Sequence, residues 1–252
     1  SIPQIEVAAD DEHVVLVFRH LEPLSSGDRE RLVQFARHTG LWLQLQPGGS
    51  DSIVNLYPEQ QQLYFSPVAD SDINIRFGAA DFTQVNADIN QQMVAQALRF
   101  LDLQSQDRVL DLFCGLGNFT LPIARLCAQV TGVEVDPAMV VRAKENALAH
   151  QLGNSEYFVA DLSKPDPDHP WMRRQFDKIL LDPPRSGAME IAQVISRFNA
   201  RTIVYVSCRP SSLVRDSKII CHSGYQLSHL GAMDMFPQTA HIESMAVFER
   251  LK

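Results

Sequence analysis

From Asp88 onward, short β-branched runs alternate with helical stretches, and this alternation constrains the fold more than any other feature of the chain. Ile89, Met93, Ala97 and Leu101 recur every four residues, the spacing of one buried helix face. There follow "RVLDLF", a helix from Phe119, "VTGVEV", a helix from Pro137, "YFVAD", "KILLDPP", a helix near Met189 to Phe198, and "TIVYVSC". Strands separated by helices pair in parallel, with the helices covering both faces of the sheet. The end of the chain differs. "YQLSHLGAMDMF" and "SMAVFERL" are joined only by "PQTAHIE", which permits an antiparallel pair but no helical crossover. The expected fold class is α/β: a Rossmann-like, doubly wound sheet that finishes with an antiparallel C-terminal strand.

The region before this pattern predicts a separate small α/β unit. "HVVLVFRH" is a strand, and "DRERLVQFARHTG" is an amphipathic helix with Leu32, Val33, Phe35 and Ala36 inside and Gly40 as its stop. "LWLQLQ" is a further strand, closed by the turn "PGGSDS", and "QLYFSP" and "INIRFG" are short strands. The expected domains are 1–78, a small central domain, and 79–252, the larger α/β domain. A chain of 252 residues, 45% of them hydrophobic, is long enough to bury both cores.

Composition narrows the class. No apolar run reaches the ~20 residues of a membrane span, and no signal peptide is visible. The four cysteines, Cys114, Cys127, Cys208 and Cys221, match no zinc or iron–sulfur spacing and are too sparse for a disulfide framework. Free thiols in a reducing, cytoplasmic setting are expected. The net charge of −8 argues against a nucleic-acid partner, but twelve of the 22 Lys and Arg lie between Arg142 and Lys218, so a local basic face on an acidic protein stays open beside scattered solvated charge.

Ligands of such sheets sit beyond the carboxyl ends of the strands. There, "LDLFCGLGNFT" follows a strand and opens a helix, with Gly115 and Gly117 allowing a tight turn and close approach to backbone. Glu134 ends the next strand, where a carboxylate can accept from both hydroxyls of a ribose. A third glycine of the dinucleotide fingerprint would fall at Thr120, so NAD is disfavoured. Asp161 ends "YFVAD", placed either for an adenine amino group or as a helix N-cap. Asp182 emerges in "LDPPRSG", beside two prolines that remove backbone donors and stiffen the turn. Cys208 ends "TIVYVSC", as core filler or as a nucleophile at a strand end. Glu243 lies in "HIESM" at the start of an apolar strand, as a solvated strand-start residue or a working base.

Together these pieces resemble the class I methyltransferases that use S-adenosylmethionine, and more closely the RNA uracil-C5 methyltransferase family. "FTQVN", "DLFCGLGNFT", "GVEVDP", "LLDPPRSG", "VYVSC-P" and "DMFPQTAHIESM" run in family order from Phe82 to Met245, about two thirds of the chain. The N-terminal segments "FRHLEPL" and "LWLQLQPGG" are similar to the central region of the family's 23S rRNA branch. The resemblance implies Cys208 as the nucleophile and Glu243 as the base that removes the C5 proton. It implies that Phe113, Asn118, Glu134 and Asp161 contact S-adenosylmethionine, with Gln84 and Asp182 between cofactor and target base. It implies S-adenosyl-L-homocysteine as by-product, RNA as partner, with 23S rRNA favoured over a tRNA uridine, and no membrane or protein partner. His241 is the runner-up base, and Phe82 and Phe236 either stack on bases or pack in the core.

Departures accompany the match. Arg209 stands where the family usually has Asn. The branch's N-terminal RNA-binding domain and the cysteines of its 4Fe-4S cluster have no counterpart here, so the chain is read as the central and catalytic portion of a longer enzyme. The rival readings are an amino-directed methyltransferase, which needs neither Cys208 nor Glu243, and a non-catalytic RNA-binding module that keeps the cofactor fold.

Overall fold

The structure is a computed structural model that describes residues 2–239 and 241–251. Two compact units emerge, Ser1–Phe65 with Arg76–Thr83, and Ser66–Ile75 with Gln84–Lys252.

In the first unit, β1 (Gln4–Ala9), β2 (Val14–Arg19), α1 (Ser26–Thr39), β3 (Trp42–Gln46) and β4 (Val54–Tyr57) build a four-stranded sheet in the order β1-β2-β3-β4. Ser25 caps α1 by accepting the Asp28 N–H, and Gly40, at φ 77°, ends it in the left-handed conformation. Phe18, Leu43, Leu45 and Ala36 form the core, with Leu32 packed against it. Phe35 departs from expectation: it is 42% exposed. Ala36, fully buried, centres the inward stripe, and Phe35 lies about 100° round the helix from it. Strands β1 and β4 were not anticipated, because "QIEVAA" and "VNLY" are short and largely exposed. Two further short strands, β5 (Leu63–Phe65) and β6 (Ile75–Phe77), pair with each other.

The second unit carries α2 (Ala87–Leu101), β7 (Arg108–Leu112), α3 (Thr120–Ala124), β8 (Gln129–Glu134), α4 (Pro137–Ala149), β9 (Ser155–Val159), β10 (Lys178–Leu181), α5 (Met189–Val194), β11 (Thr202–Ser207), α6 (Pro210–His222), β12 (Tyr225–Met233) and β13 (Glu243–Arg250). Its seven-stranded sheet has the order β12-β13-β11-β10-β7-β8-β9. The five strands β7 to β11 are parallel, and β13 inserts antiparallel between β11 and β12. The doubly wound sheet with an antiparallel strand is therefore present as read from the sequence.

The central parallel strands β7, β10 and β11 are buried on both faces because both faces are covered, whereas β9, at the sheet edge, is only partly buried. On one face, Leu110, Leu112, Ile179, Leu181, Ile203 and Tyr205 pack with residues of α5 and α6 and with Trp171 and Phe198. On the other, α2 lies on β11 and buries Met93, Val94, Ala97 and Leu101. Among the described residues no helix is long and apolar enough to cross a membrane.

Candidate active site

Chain order in a doubly wound sheet brings all five parallel strand ends to one edge, and most of the residues singled out above stand there. β7 runs into the glycine loop, β8 ends at Glu134, Asp161 lies two residues beyond β9, Asp182 follows β10, and Cys208 follows β11. Because β13 runs the opposite way, its first residue reaches the same edge. Ser207 pairs with Ser244 in the β11–β13 ladder, and one further step sets Cys208 opposite Glu243.

At the glycine loop, Phe113 and Gly115 adopt left-handed backbone, φ 65° and 52°. Such a conformation is costly for a residue with a side chain, and Phe113 is held in it by the bond from its N–H to Val133 O (2.9 Å) and by packing on the core. A Cβ on Gly115 would meet nothing within 4 Å, whereas one on Gly117 would strike Leu121. The loop is thus packed behind and open in front. Glu134, 9% exposed, accepts from the Gly115 N–H (3.1 Å), the Val135 N–H (2.7 Å) and the Asp136 N–H (3.2 Å). Its carboxylate pins the loop to the end of β8; Oε1 accepts two of these bonds and Oε2 one, so Oε2 keeps lone-pair capacity for a further donor. Asn118 forms a reciprocal amide pair with buried Asn90 of α2 (3.0 and 2.9 Å). The sequence reading missed Asn90, since a pair between positions so far apart leaves no local pattern.

It also missed Asp111, although a lone carboxylate inside the apolar "RVLDLF" was a visible signal. Asp111 is fully buried, accepts from Thr120 Oγ1 (2.5 Å), and keeps Oδ1 without a partner. Burial, reinforced by the charge of Glu134, pushes its carboxyl up to about 7. Cys114 is buried against Gly132, where a Cβ would lie 2.9 Å from its sulfur, and its thiol is pushed far up by burial and the charges of Asp111 and Glu134. It is a packing residue.

Asp161 is exposed and engaged in a turn, accepting from the N–H (2.9 Å) and Oγ (2.6 Å) of Ser163. No helix starts there, so the capping role is replaced by a side-chain turn. Gln84 lies in the irregular segment ahead of α2, half-buried, with no hydrogen bond recorded on its amide.

At the opposite end of the edge, Cys208, Asp182 and Glu243 share one electrostatic neighbourhood. Burial pushes Asp182 up to about 8, helped by the charges of Glu243 and Asp111. Burial also raises Glu243, which is 4% exposed. The half-buried Cys208 thiol is raised by burial first and by Glu243 and Asp182 next, with its own backbone and Arg185 pulling it back. Arg209 is turned to Ser211, its Nε donating to Ser211 Oγ (3.2 Å). His241 is exposed and precedes β13 instead of sharing a strand face with Glu243, its ring edge-on to Phe236 (6.0 Å). Phe82 is 72% exposed, which removes core packing as its role. Among the described residues no group of three metal-ligating side chains occurs.

These residues suit a nucleoside-sulfonium ligand at the glycine loop. The open face at Gly115 and the unpartnered Oδ1 of Asp111 border the acceptor Glu134, and no basic side chain for a pyrophosphate is recorded on that loop.

Comparison with known proteins bears on the family. The family model described as tRNA (Uracil-5-)-methyltransferase matches residues 49–163 and 170–251. A 23S rRNA (uracil(1939)-C(5))-methyltransferase RlmD of Xanthomonas axonopodis pv. citri is 51% identical over 251 residues, covering 99% of this chain and 56% of the relative. The RlmD of Hahella chejuensis is 50% identical over 255 residues, with 99% and 57% covered. The chain thus spans little more than half the length of the curated relatives it matches. Among solved structures, the Pyrococcus abyssi tRNA (uracil-54, C5)-methyltransferase in complex with S-adenosyl-L-homocysteine superposes with a TM-score of 0.73 at 22% identity, covering 94% of this chain and 57% of that one. M. jannaschii TYW2 in complex with AdoMet gives 0.59 at 16% identity, over 83% and 94%. The structural likenesses show the methyltransferase fold, and the family match, spanning most of the sequence, shows more: the chain belongs to the RNA uracil-5-methyltransferase family.

Proposed function

We propose that the chain is the central and catalytic portion of an enzyme that methylates C5 of a specific uridine in 23S rRNA, using S-adenosylmethionine and a covalent Cys208 adduct. The observation that carries the reading is the juxtaposition of a half-buried thiol, Cys208, with a buried, hydrogen-bond-free carboxyl, Glu243, across one strand ladder.

C5 of uracil is a poor nucleophile. In the proposed chemistry Cys208 loses its proton to solvent and its thiolate adds to C6, so that the C5–C6 π electrons move onto C5 and the ring carbonyl. Bound S-adenosylmethionine supplies an electrophilic methyl group, which C5 accepts. Glu243 then takes the C5 proton, the C5–C6 double bond reforms, and the thiolate leaves. A carboxyl raised by burial is the stronger base for this step. Asp182, neutral at neutral pH because burial raises it to about 8, donates a hydrogen bond to the carbonyl oxygen that gathers enolate charge.

Glu134 holds the ribose hydroxyls while pinning the loop, Phe113 and Asn118 shape the cofactor's seat, and Asp161 lies on the adenine side. Gln84 works with Asp182 between cofactor and base. The uridine must leave its stack to enter, and exposed Phe82 and half-buried Phe236 are the stacking surfaces offered. The domain division at 78/79, with the first part facing RNA, a cytoplasmic location, and a 4Fe-4S cluster confined to parts of the longer protein outside this chain, belong to the same proposal. Half-identity to 23S rRNA enzymes favours rRNA over tRNA.

The test is trapping. RNA carrying 5-fluorouridine at the target forms a stable adduct after methyl transfer, because fluorine cannot leave as a proton does. A denaturing-gel shift that requires S-adenosylmethionine and maps to Cys208 supports the proposal. Methylation without any thiol adduct would sink it.

A further inference from the structure

The turn that follows Asp182 is anchored more firmly than its exposed position requires. Arg185 O accepts from Ser212 Oγ (3.1 Å), and Ser186 O accepts from Arg215 Nη2 (2.8 Å). The Ala188 N–H donates to Asp216 Oδ2 (2.7 Å) and also lies 3.2 Å from the Tyr205 hydroxyl. Asp216, fully buried, also accepts from Tyr205 Oη (2.6 Å) and Arg215 Nε (2.7 Å). Gly187, at φ 80°, has no room for a side chain, since a Cβ would stand 2.5 Å from Asp216 Oδ2. Every anchor belongs to β11 or α6, the two elements that flank Cys208 in the chain. The backbone of Arg185 is therefore fixed relative to β11 and α6, while among the described residues its guanidinium has no hydrogen-bond or ion-pair partner.

We propose that Arg185 is the cation that supports the Cys208 thiolate, a positioning residue that acts through the nucleophile. Among the described residues, the other charged groups that act on the thiol are acidic. β13 contributes Glu243 and the turn after β10 contributes Asp182, both acidic. Arg209, next in sequence, is turned to Ser211, and His241 is exposed against Phe236. Burial and the Glu243 carboxylate oppose a thiolate at neutral pH, with Asp182 joining them once it ionises, and a fixed cation favours it. The direction of Arg185's effect on the thiol agrees, as it is the one side chain that lowers it. Clamping the backbone at four points while leaving the guanidinium unpaired holds the charge in range without neutralising it.

The inference rests on Cys208 as nucleophile, and its test is kept separate from that reading. Alkylation of Cys208 by iodoacetamide is followed across pH, with peptide mass spectrometry to read Cys208 apart from the other cysteines. In Arg185→Gln the neutral-pH rate falls about threefold to tenfold and the profile moves to higher pH; Arg185→Lys, which keeps the charge, recovers most of the loss. An unchanged profile in Arg185→Gln, even with weakened RNA binding, overturns the inference and assigns the guanidinium to the RNA backbone. If the profile shifts as expected but the parent protein traps no 5-fluorouridine RNA, the functional reading fails and the inference about the thiol stands.

Discussion

At the glycine-loop end of the sheet edge, Glu134 accepts three backbone N–H groups; at the thiol end, Glu243 accepts none recorded. Both carboxyls are buried, at 9% and 4% exposure, so the difference lies in what surrounds them. Backbone donors compensate a buried charge and hold it in one geometry. Burial without such donors raises a carboxyl, as it does Glu243, and a raised carboxyl is the stronger base. On the proposed reading, the same residue type serves binding at one end and proton transfer at the other. Between them, Asp111, which accepts from Thr120 alone, and Asp182 are also raised by burial, to about 7 and about 8.

Loss of the thiol has the largest expected effect. In the full-length protein, Cys208→Ala lowers turnover by at least about three powers of ten and abolishes the RNA adduct, since a required step has no substitute. A surviving adduct would redirect attention to another thiol, although burial of Cys114 makes it a poor nucleophile. At the binding end the loss is smaller. Glu134→Ala weakens S-adenosylmethionine by about 1–3 kcal/mol, through lost charge-assisted hydrogen bonds and a loosened Gly115 turn. Calorimetry on this chain measures it, and unchanged affinity would remove Glu134 from the ribose.

Glu243→Gln separates the two roles of charge at the thiol end. Glu243 pushes the Cys208 thiol up, so removing its charge lowers the thiol and speeds alkylation at neutral pH by about twofold to fivefold, even as turnover collapses. A slower alkylation would contradict the shared neighbourhood. The smallest effect concerns stability. Asp182 holds its proton more tightly folded (about 8) than unfolded (3.8), so its contribution is complete below about pH 4 and is lost as pH rises toward 8. Asp182→Asn removes that loss. The melting temperature of the variant relative to the parent should therefore climb between pH 4 and 8, and a flat difference would show Asp182 to be less buried than described.

Much of the sheet was legible because the central parallel strands, covered on both faces, are short apolar runs bounded by turn residues. The antiparallel finish was legible from the length of one linker. Cys208 and Glu243 could be named from sequence, but their opposition depends on the β11–β13 register, which no local pattern carries. Asn90 with Asn118, and Asp216 with Tyr205 and Ala188, join distant positions and were invisible for the same reason. Adjacency in sequence carries no information on charge at the thiol: Arg209 is turned to Ser211, and the cation whose charge acts on Cys208 comes from the loop after β10.

The division between a carboxyl that binds and a carboxyl that moves a proton is tested most directly by intact mass spectrometry of full-length Glu243→Gln incubated with S-adenosylmethionine and unmodified target RNA. With the thiol intact and the base removed, the protein should accumulate an RNA adduct on Cys208 whose uridine already carries the added methyl group, and that should be absent from Cys208→Ala. Free 5-methyluridine RNA released at the parent's rate, with no adduct, would contradict it.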